Sequence, residues 1–352
     1  MNATTVAVDL AKNVFQLAVA DENWRVIGRH RLSRSQFERW FANREVSLII
    51  MEACGSAHHW ARLFQAAGIE VRLLPAHYVR KYVKRNKTDA ADAAALLEAA
   101  RANDMKPVRV KSVEQQALQA LHRSRSAWLS TRTARINALR GFCREFGLIV
   151  PAGAVSGVAQ IGYYVADEHS VLPTMLRGTM RLMLEEIRLL EERIEQLQRE
   201  LAEIAHESPA CQALLSVPGI GLLTSTAMVA AVGDPRSFRS GRHYASFLGL
   251  TPREHSSGDR RYLGGISKRG DCYIRTLLTH GARSILRAAT VAMRSGRPLD
   301  RLKAWGLEVQ RRSNHNKAAC ALANKLARIA WAVWTKQESY RGRVNDAPAA
   351  VN

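Results

Sequence analysis

Short apolar runs alternate with polar turns over the first 75 residues of the chain. Turn residues separate the first three runs, a spacing that predicts a meander of strands opening a sheet. In order, the pattern predicts strands at 4–10, 14–20 and 25–32, a helix at 35–43, a strand at 46–51, a helix at 56–67 and a strand at 71–74. Because strands come to alternate with helices, we expect an α/β layer with parallel strand pairs.

The pattern becomes helical after residue 88. Strong helix formers fill 89–102, and an Arg-rich segment at 113–146 continues in the same style. The arginines of that segment are equally compatible with a solvated face and with a face that follows phosphates. Glycines and other small residues predict a loop at 153–162.

Apolar residues recur in steps of three and four between Met180 and Ile204. The repeating positions are Met180, Met183, Ile187, Leu190, Ile194, Leu197, Leu201 and Ile204. Glu and Arg occupy the flanks, so the pattern predicts a coiled coil of about three and a half heptads. The alternative is a helix hairpin within one chain. The acidic flanks favour contact with protein over contact with nucleic acid.

A glycine-containing turn opens the region that follows Ser208 and Pro209. The turn contains Pro218, Gly219 and Gly221 and is followed by an apolar helix at 222–231. This arrangement resembles a helix-hairpin-helix turn. In such a turn, backbone N–H groups at a helix N-terminus can approach a phosphate. An ordinary glycine-rich helix connection is the other interpretation.

The chain is strongly basic. Its 352 residues carry 52 Lys and Arg against 31 Asp and Glu, a formal net charge of +21. A polyanion is attracted to such a surface, so nucleic acid is the expected partner. No apolar run predicts a membrane span or a signal peptide, and we expect a cytoplasmic protein without a membrane partner. The five cysteines lie far apart, which speaks against a zinc site or a disulfide framework.

Four acidic residues of the basic N-terminal region are candidates for a catalytic site: Asp9, Glu52, Asp89 and Asp92. Asp9 ends the first strand and Glu52 follows the strand at 46–51, where open α/β sheets bind ligands. Asp89 and Asp92 project from one face of a helix. Converging carboxylates repel one another unless cations neutralise them, and oxygen ligands suit Mg²⁺ or Mn²⁺. Taken singly, each acid is better explained as a turn or cap residue.

Several motifs in this order resemble the DEDD insertion-sequence transposases, the bridge-RNA-guided recombinases. They are Val8-Asp9-Leu10-Ala11-Lys12, Met51-Glu52-Ala53-Cys54-Gly55, Lys87-Thr88-Asp89-Ala90-Ala91-Asp92, Leu248-Gly249-Leu250-Thr251-Pro252, His255-Ser256-Ser257-Gly258, Gly265-Ile266-Ser267-Lys268-Arg269-Gly270-Asp271 and Ala321-Leu322-Ala323-Asn324-Lys325-Leu326-Ala327. The resemblance extends from about residue 4 to residue 334 and rests on the order and spacing of these motifs together.

The resemblance implies a fold that is α/β plus mainly α. It implies a RuvC-like (ribonuclease-H-like) catalytic domain with a helical extension at 1–165 and a coiled-coil dimerisation segment at 171–206. A helical C-terminal transposase domain with the helix-hairpin-helix-like turn follows at 209–340. The implied partners are donor and target DNA, a structured non-coding guide RNA, and further copies of the chain, as a dimer and as a tetramer in the synaptic complex. The four acids would bind the metal.

The resemblance also assigns a nucleophile. The family's Thr-Pro…Ser-Gly pattern falls on Ser257, with Ser256 as the adjacent rival. Basic residues near the acids and near this serine are candidates for phosphate contacts. They are Lys84, Arg85, Lys87, Arg260, Arg261, Lys268 and Arg269.

Three other functions fit part of the sequence. A junction-resolving nuclease would use the carboxylates and a metal-activated water without the serine. A non-catalytic nucleic-acid-binding protein is disfavoured because all four acids are present. A sugar-kinase-like enzyme would share the first Asp-bearing strand, but a second phosphate-binding glycine loop is missing and the charge suits it poorly.

Overall fold

The chain forms two compact units in a computed structural model. The structure describes residues 5–42, 44–82, 89–102 and 105–342, with the side chains of 89–91 outside the description. One unit comprises Met1–Val113 and the other Glu114–Asn352. The resemblance implied a first domain with a helical extension up to residue 165, whereas the segment from Glu114 onward belongs to the second compact unit.

The first unit is a five-stranded sheet with helices on both faces. Its elements are β1 (Thr5–Leu10), β2 (Val14–Ala20), β3 (Val26–Ser33), α1 (Arg34–Phe41), β4 (Leu48–Glu52), α2 (Ala57–Ala66), β5 (Glu70–Leu74), α3 (Ala76–Val79) and α4 (Asp89–Arg101). The strand order is β3-β2-β1-β4-β5, in which β4 runs parallel to β1 and β5, and β2 antiparallel to β1 and β3. The predicted meander and parallel pairs are therefore present.

Alternation along the strands assigns one set of side chains to each face of the sheet. Val6 and Val8 point into a core that α1 and α2 cover with aromatic residues such as Trp60. Ala7 and Ile50 point to the opposite face, which α4 covers. The small residues on that second face let the Ala-rich helix α4 lie close to the strands.

The second unit is helical apart from one hairpin, as far as residue 342. Its elements are α5 (Val113–Glu145), α6 (Ala154–Ala166), α7 (Thr174–Glu207), α8 (Pro209–Leu215), α9 (Leu222–Val232), α10 (Gly241–Phe247), β6 (Pro252–Glu254), β7 (Leu263–Ile266), α11 (Cys272–Arg294), α12 (Arg301–Arg312) and α13 (His315–Lys336). The central core lies among α8 to α13. Among the described residues, no helix has both the length and the apolar character that a membrane crossing requires.

The predicted loop at 153–162 is wrong, because residues 154–162 belong to α6. Gly153 precedes the helix, and Ile161 and Val165 are buried against α5 and α7. Its glycines and small residues match loop composition. The apolar spacing of Val158, Ile161 and Val165 is the helical signal that this composition obscured.

The apolar seam of α7 is buried within the chain. Ile187 packs with residues of α5 and α6, and Leu197 and Leu201 pack with α5 and α9. Arg132 of α5 contacts Glu191 at 3.2 Å, and Arg135 contacts Glu186 at 2.6 Å. This arrangement is the helix-hairpin alternative, and it corrects the expectation that a second subunit covers this seam.

Candidate functional site

The strand register places Asp9 and Glu52 side by side. Val8 pairs with Met51 in the parallel β1–β4 ladder, so the following residues, Asp9 and Glu52, are neighbours at the carboxyl ends of adjoining strands. The side chains of Ala7 and Ile50 lie on the face of the sheet that α4 covers. Asp9 follows Ala7 by two residues, and Glu52 follows Ile50 by two residues. Side-chain alternation therefore directs both carboxylates to the face of the sheet that α4 covers.

Asp92 extends this acidic face from the helix. It lies in the first turn of α4, next to the buried residue Ala93, and α4 contacts β1, β2, β4 and β5. Its Oδ1 atom is buried and has no hydrogen-bond partner among the described residues. A buried, unpartnered carboxylate oxygen carries a desolvation penalty, which a cation bound to it would offset.

The chemistry of these residues fits a hard divalent cation, because all of the predicted ligands are carboxylates. Among the described side chains, however, no three acids, histidines or cysteines lie close enough together to hold an ion. The side chain of Asp89 lies outside the described residues. The four-carboxylate site thus stays a prediction, supported by the shared face and by the unpartnered oxygen of Asp92.

Ser257 lies at the tip of the β6–β7 hairpin in the second unit. Its N–H donates to the Arg260 carbonyl at 3.2 Å, and the Arg260 N–H donates back to Ser257 at 3.2 Å. Gly258 and Asp259 form the two-residue loop between them, and φ is positive at Gly258 (55°) but not at Asp259. This is the pattern of a type II′ hairpin turn, which requires glycine at its first central position.

The hairpin has two faces with different side chains. The backbone pairs Ser257 with Arg260, and the His255 N–H donates to the Tyr262 carbonyl at 3.0 Å. Paired residues share a face, so those four side chains lie together on what we name the serine face. Glu254, Ser256 and Arg261 alternate with these residues along the two strands, so their side chains lie on the opposite face.

The two candidate serines differ in their hydrogen bonds. The Ser256 hydroxyl donates to Glu254 Oε1 at 2.8 Å and accepts the N–H of Tyr262 at 3.2 Å. Its only proton is therefore engaged. Ser257 is exposed, and among the described residues its hydroxyl makes no hydrogen bond.

The base of the hairpin is anchored to the core. Leu248 and Leu250 are buried, and Asn324 Nδ2 donates to the Leu250 carbonyl at 3.1 Å. A Cβ on Gly249, where φ is 70°, would lie 1.9 Å from the Arg269 carbonyl oxygen, so only glycine fits this close approach. An exposed tip on a fixed base suits a side chain that must be presented to a large substrate.

The predicted basic residues take different positions. Arg260 lies across from Ser257 on the serine face, whereas Arg261 Nε contacts Glu254 Oε1 at 3.3 Å on the other face. Lys268 (φ 56°) and Arg269 lie at the hairpin base, where the Lys268 N–H donates to the Gly249 carbonyl at 3.1 Å. The remaining three, Lys84, Arg85 and Lys87, lie outside the described residues.

A buried polar network joins the helices α5, α9 and α11. The Thr226 hydroxyl donates to the Leu222 carbonyl at 2.7 Å and lies 3.0 Å from His122 Nε2. The other imidazole nitrogen, Nδ1, lies 3.1 Å from the Tyr273 hydroxyl. Because the Thr226 hydroxyl gives its proton to Leu222, it accepts from His122, which assigns the imidazole proton to Nε2. Nδ1 then accepts the Tyr273 hydroxyl. Burial, aided by the nearby Arg125, lowers the pKa of His122 to about 4, so the ring is neutral near pH 7.

The sequence analysis missed the supporting residues of the hairpin, Glu254, Arg275 and Asn324. Arg275 Nη1 donates to the Leu248 carbonyl at 3.1 Å and to the Arg269 carbonyl at 3.3 Å. The alternation of Glu254 with Ser256 was a signal in the sequence, because residues two apart in a strand share a face. Nothing in the sequence indicates that Arg275 or Asn324 binds backbone carbonyls.

A sheet with carboxylates at adjoining strand ends, followed by a helical unit, is the architecture of a DEDD nuclease-like domain with a helical partner. Residues 6–146 match a transposase family model of the DEDD IS110 type, and residues 211–295 match the model described as the transposase IS116/IS110/IS902 family.

Similar proteins cover nearly the whole chain. It is 42% identical to the probable family 20 transposase of Pseudomonas aeruginosa, over 97% of this chain and 99% of that protein. It is 40% identical to the transposase for insertion sequence element IS1111A of Coxiella burnetii, over 96% of this chain and 91% of that protein. The figure is 36% for the transposase of IS1328 of Yersinia enterocolitica, over 95% of this chain and 98% of that protein. The chain belongs to the IS110 family of DEDD transposases and is a DNA-transposing enzyme of an insertion sequence.

Proposed function

We propose that this transposase cuts and rejoins donor and target DNA by transferring a phosphoryl group to Ser257. The Ser257 oxygen attacks phosphorus, the hydroxyl proton leaves, and the bond from phosphorus to a deoxyribose oxygen breaks, with that oxygen taking up a proton. A hydroxyl of the new strand reverses these steps and releases the serine. The phosphodiester is kept as a phosphoserine link, so rejoining needs no external energy source.

One observation carries this proposal: Ser257 is the exposed serine with an uncommitted hydroxyl at the tip of an anchored hairpin. Ser256 Oγ is instead held between Glu254 Oε1 at 2.8 Å and the Tyr262 N–H at 3.2 Å, on the face of the hairpin opposite Arg260. Arg260, paired with Ser257 on the serine face, is positioned to contact a phosphate oxygen beside the attacking hydroxyl.

Asp9, Glu52, Asp89 and Asp92 are the proposed ligands of Mg²⁺ or Mn²⁺. When bound, the cation would neutralise phosphate charge and polarise the phosphoryl group. The proposal is supported by the position of Asp9 and Glu52 at adjoining strand ends and by the buried, unpartnered oxygen of Asp92.

A structured non-coding RNA is the proposed guide. A net charge of +21 supports binding to a polyanion in general. Proposed phosphate contacts include Lys84, Arg85, Lys87, Lys268 and Arg269 together with the glycine turn before α9. Arg261 can contribute once it leaves Glu254.

Dimerisation is proposed to involve the outer face of α7 within the segment 171–206. Met175, Leu182 and Leu189 recur there every seven residues and are 92%, 66% and 46% exposed. Other helices of the same chain already cover the seam from Met180 to Ile204. The outer stripe is therefore the apolar surface of α7 that remains for a second copy. Arg188 and Glu192 flank it with both signs of charge, which lets two copies of a basic chain meet.

Trapping the covalent intermediate tests the proposed chemistry. Denaturing gels of stalled reactions should show DNA linked to the parent protein and to Ser256→Ala, and none linked to Ser257→Ala. An adduct that persists in Ser257→Ala and is lost in Ser256→Ala would move the nucleophile by one residue. Cleavage without an adduct in any protein would instead identify a nuclease that uses metal-activated water.

A further inference from the structure

Glu254 lies where it can control the geometry of the hairpin tip. One carboxylate oxygen, Oε1, accepts the Ser256 hydroxyl at 2.8 Å and contacts Arg261 Nε at 3.3 Å. Glu254 thereby links Ser256, two positions further along the chain, to Arg261, which lies seven positions further along and on the opposite strand. We name Glu254, Ser256 and Arg261 the hairpin clasp.

The clasp replaces a missing part of the backbone ladder. In a regular antiparallel pair, the His255–Tyr262 step would exchange two backbone hydrogen bonds. Here the His255 N–H donates to the Tyr262 carbonyl at 3.0 Å, but the Tyr262 N–H donates to the Ser256 hydroxyl at 3.2 Å. The register between the base and the tip therefore depends on Ser256, and Ser256 is held in turn by Glu254.

We propose that Glu254 is a positioning residue for the transfer reaction, acting through Ser256 to hold the turn that presents Ser257. This inference rests on the proposed role of Ser257. Without the clasp, the tip keeps the two backbone bonds of the turn 257–260 and the bond from His255 to Tyr262, and all three join exposed residues. A mobile nucleophile reaches the in-line geometry less often, and small misplacements reduce rates severely.

The clasp also predicts an opposite effect on binding. Glu254 adds a negative charge close to a surface that must approach phosphates, and it holds Arg261 away from them. Removing the charge should strengthen DNA binding while it slows the chemical step. A residue needed only for folding would weaken both when removed.

The test measures DNA affinity and the single-turnover rate constant of adduct formation at saturating DNA. For Glu254→Ala we expect tighter binding and a rate constant about tenfold lower. Glu254→Gln keeps an acceptor for Ser256 without the charge, so it should bind DNA as tightly as Glu254→Ala and react at nearly the parental rate. Ser256→Ala should form the adduct as slowly as Glu254→Ala at parental affinity.

Glu308→Ala is the matched control, because it removes an exposed acid from α12 in the same unit. It should leave the rate constant unchanged. Parental rates for both Glu254→Ala and Ser256→Ala would overturn the clasp, even if Ser257→Ala is inactive. An adduct that forms normally in Ser257→Ala would overturn the nucleophile instead, so the two failures are distinguishable.

Discussion

At the level of one residue, the proposed metal ligand Asp92 lies where it opposes the folding of the metal-free protein. Its Oδ1 atom is buried without a hydrogen bond among the described residues. Leaving a buried acceptor unpaired costs about 1–3 kcal/mol, a penalty that a bound cation would offset. The sequence predicted this acid from its helical spacing to Asp89. It did not predict the unpaired oxygen, which depends on how closely α4 packs on the sheet.

We therefore expect Asp92→Ala to raise the melting temperature of the metal-free protein and to abolish adduct formation. Added Mg²⁺ should stabilise the parent by mass action and leave the variant unchanged. Melting curves with EDTA and with Mg²⁺ measure both effects. Glu98→Ala is the control on the same helix, because Glu98 is exposed and lies 3.7 Å from Arg101. Equal stabilisation of parent and Asp92→Ala by Mg²⁺ would remove Asp92 from the site.

At the level of elements, periodicity identified the strands of the first unit and the long helices α5 and α7, but it missed α6 and did not show what covers each face. The strands β1, β2 and β4 were predicted to within about two residues because apolar alternation and flanking turn residues are local signals. The partner of the α7 seam was not predictable in the same way. A heptad pattern fits another helix of the same chain as well as one of a second copy, and α5, also long and Arg-rich, supplies the partner.

The two apolar faces of α7 give different predictions. Leu190→Glu combined with Leu197→Glu buries two charges that have no partners there, so the second unit should lose helicity. Leu182→Glu combined with Leu189→Glu changes the exposed stripe, so helicity should stay at the parental level while a dimer dissociates. Circular dichroism and light scattering measure these outcomes. A folded monomer from the Leu190 and Leu197 pair would show that the inner seam joins subunits after all.

At the level of the whole molecule, charge explains attraction to nucleic acid but not preference among nucleic acids. The net charge of +21 belongs to the chain as a whole. Composition was therefore enough to predict the class of partner. The division of the chain was harder to predict, because the boundary falls after Val113, the first residue of a long helix, and not at Pro107, the nearest proline. Contacts of α5 with α7 decide to which unit that helix belongs.

The guide proposal requires a preference that counterion release cannot produce. Two RNAs of equal length release similar numbers of ions, so the logarithm of each affinity should fall with the logarithm of salt concentration at a similar slope. Contacts with a specific RNA shape add a free energy that salt screens less, and they separate the two lines by a nearly constant amount. We therefore expect RNA from the element's own non-coding flank to bind at least about tenfold more tightly than an unrelated RNA at physiological salt, a difference of about 1.4 kcal/mol. Filter binding over a salt series measures both lines, and a shuffled version of the flank RNA controls for base composition. Lines that coincide at physiological salt would leave a basic protein that binds RNA without recognising a guide.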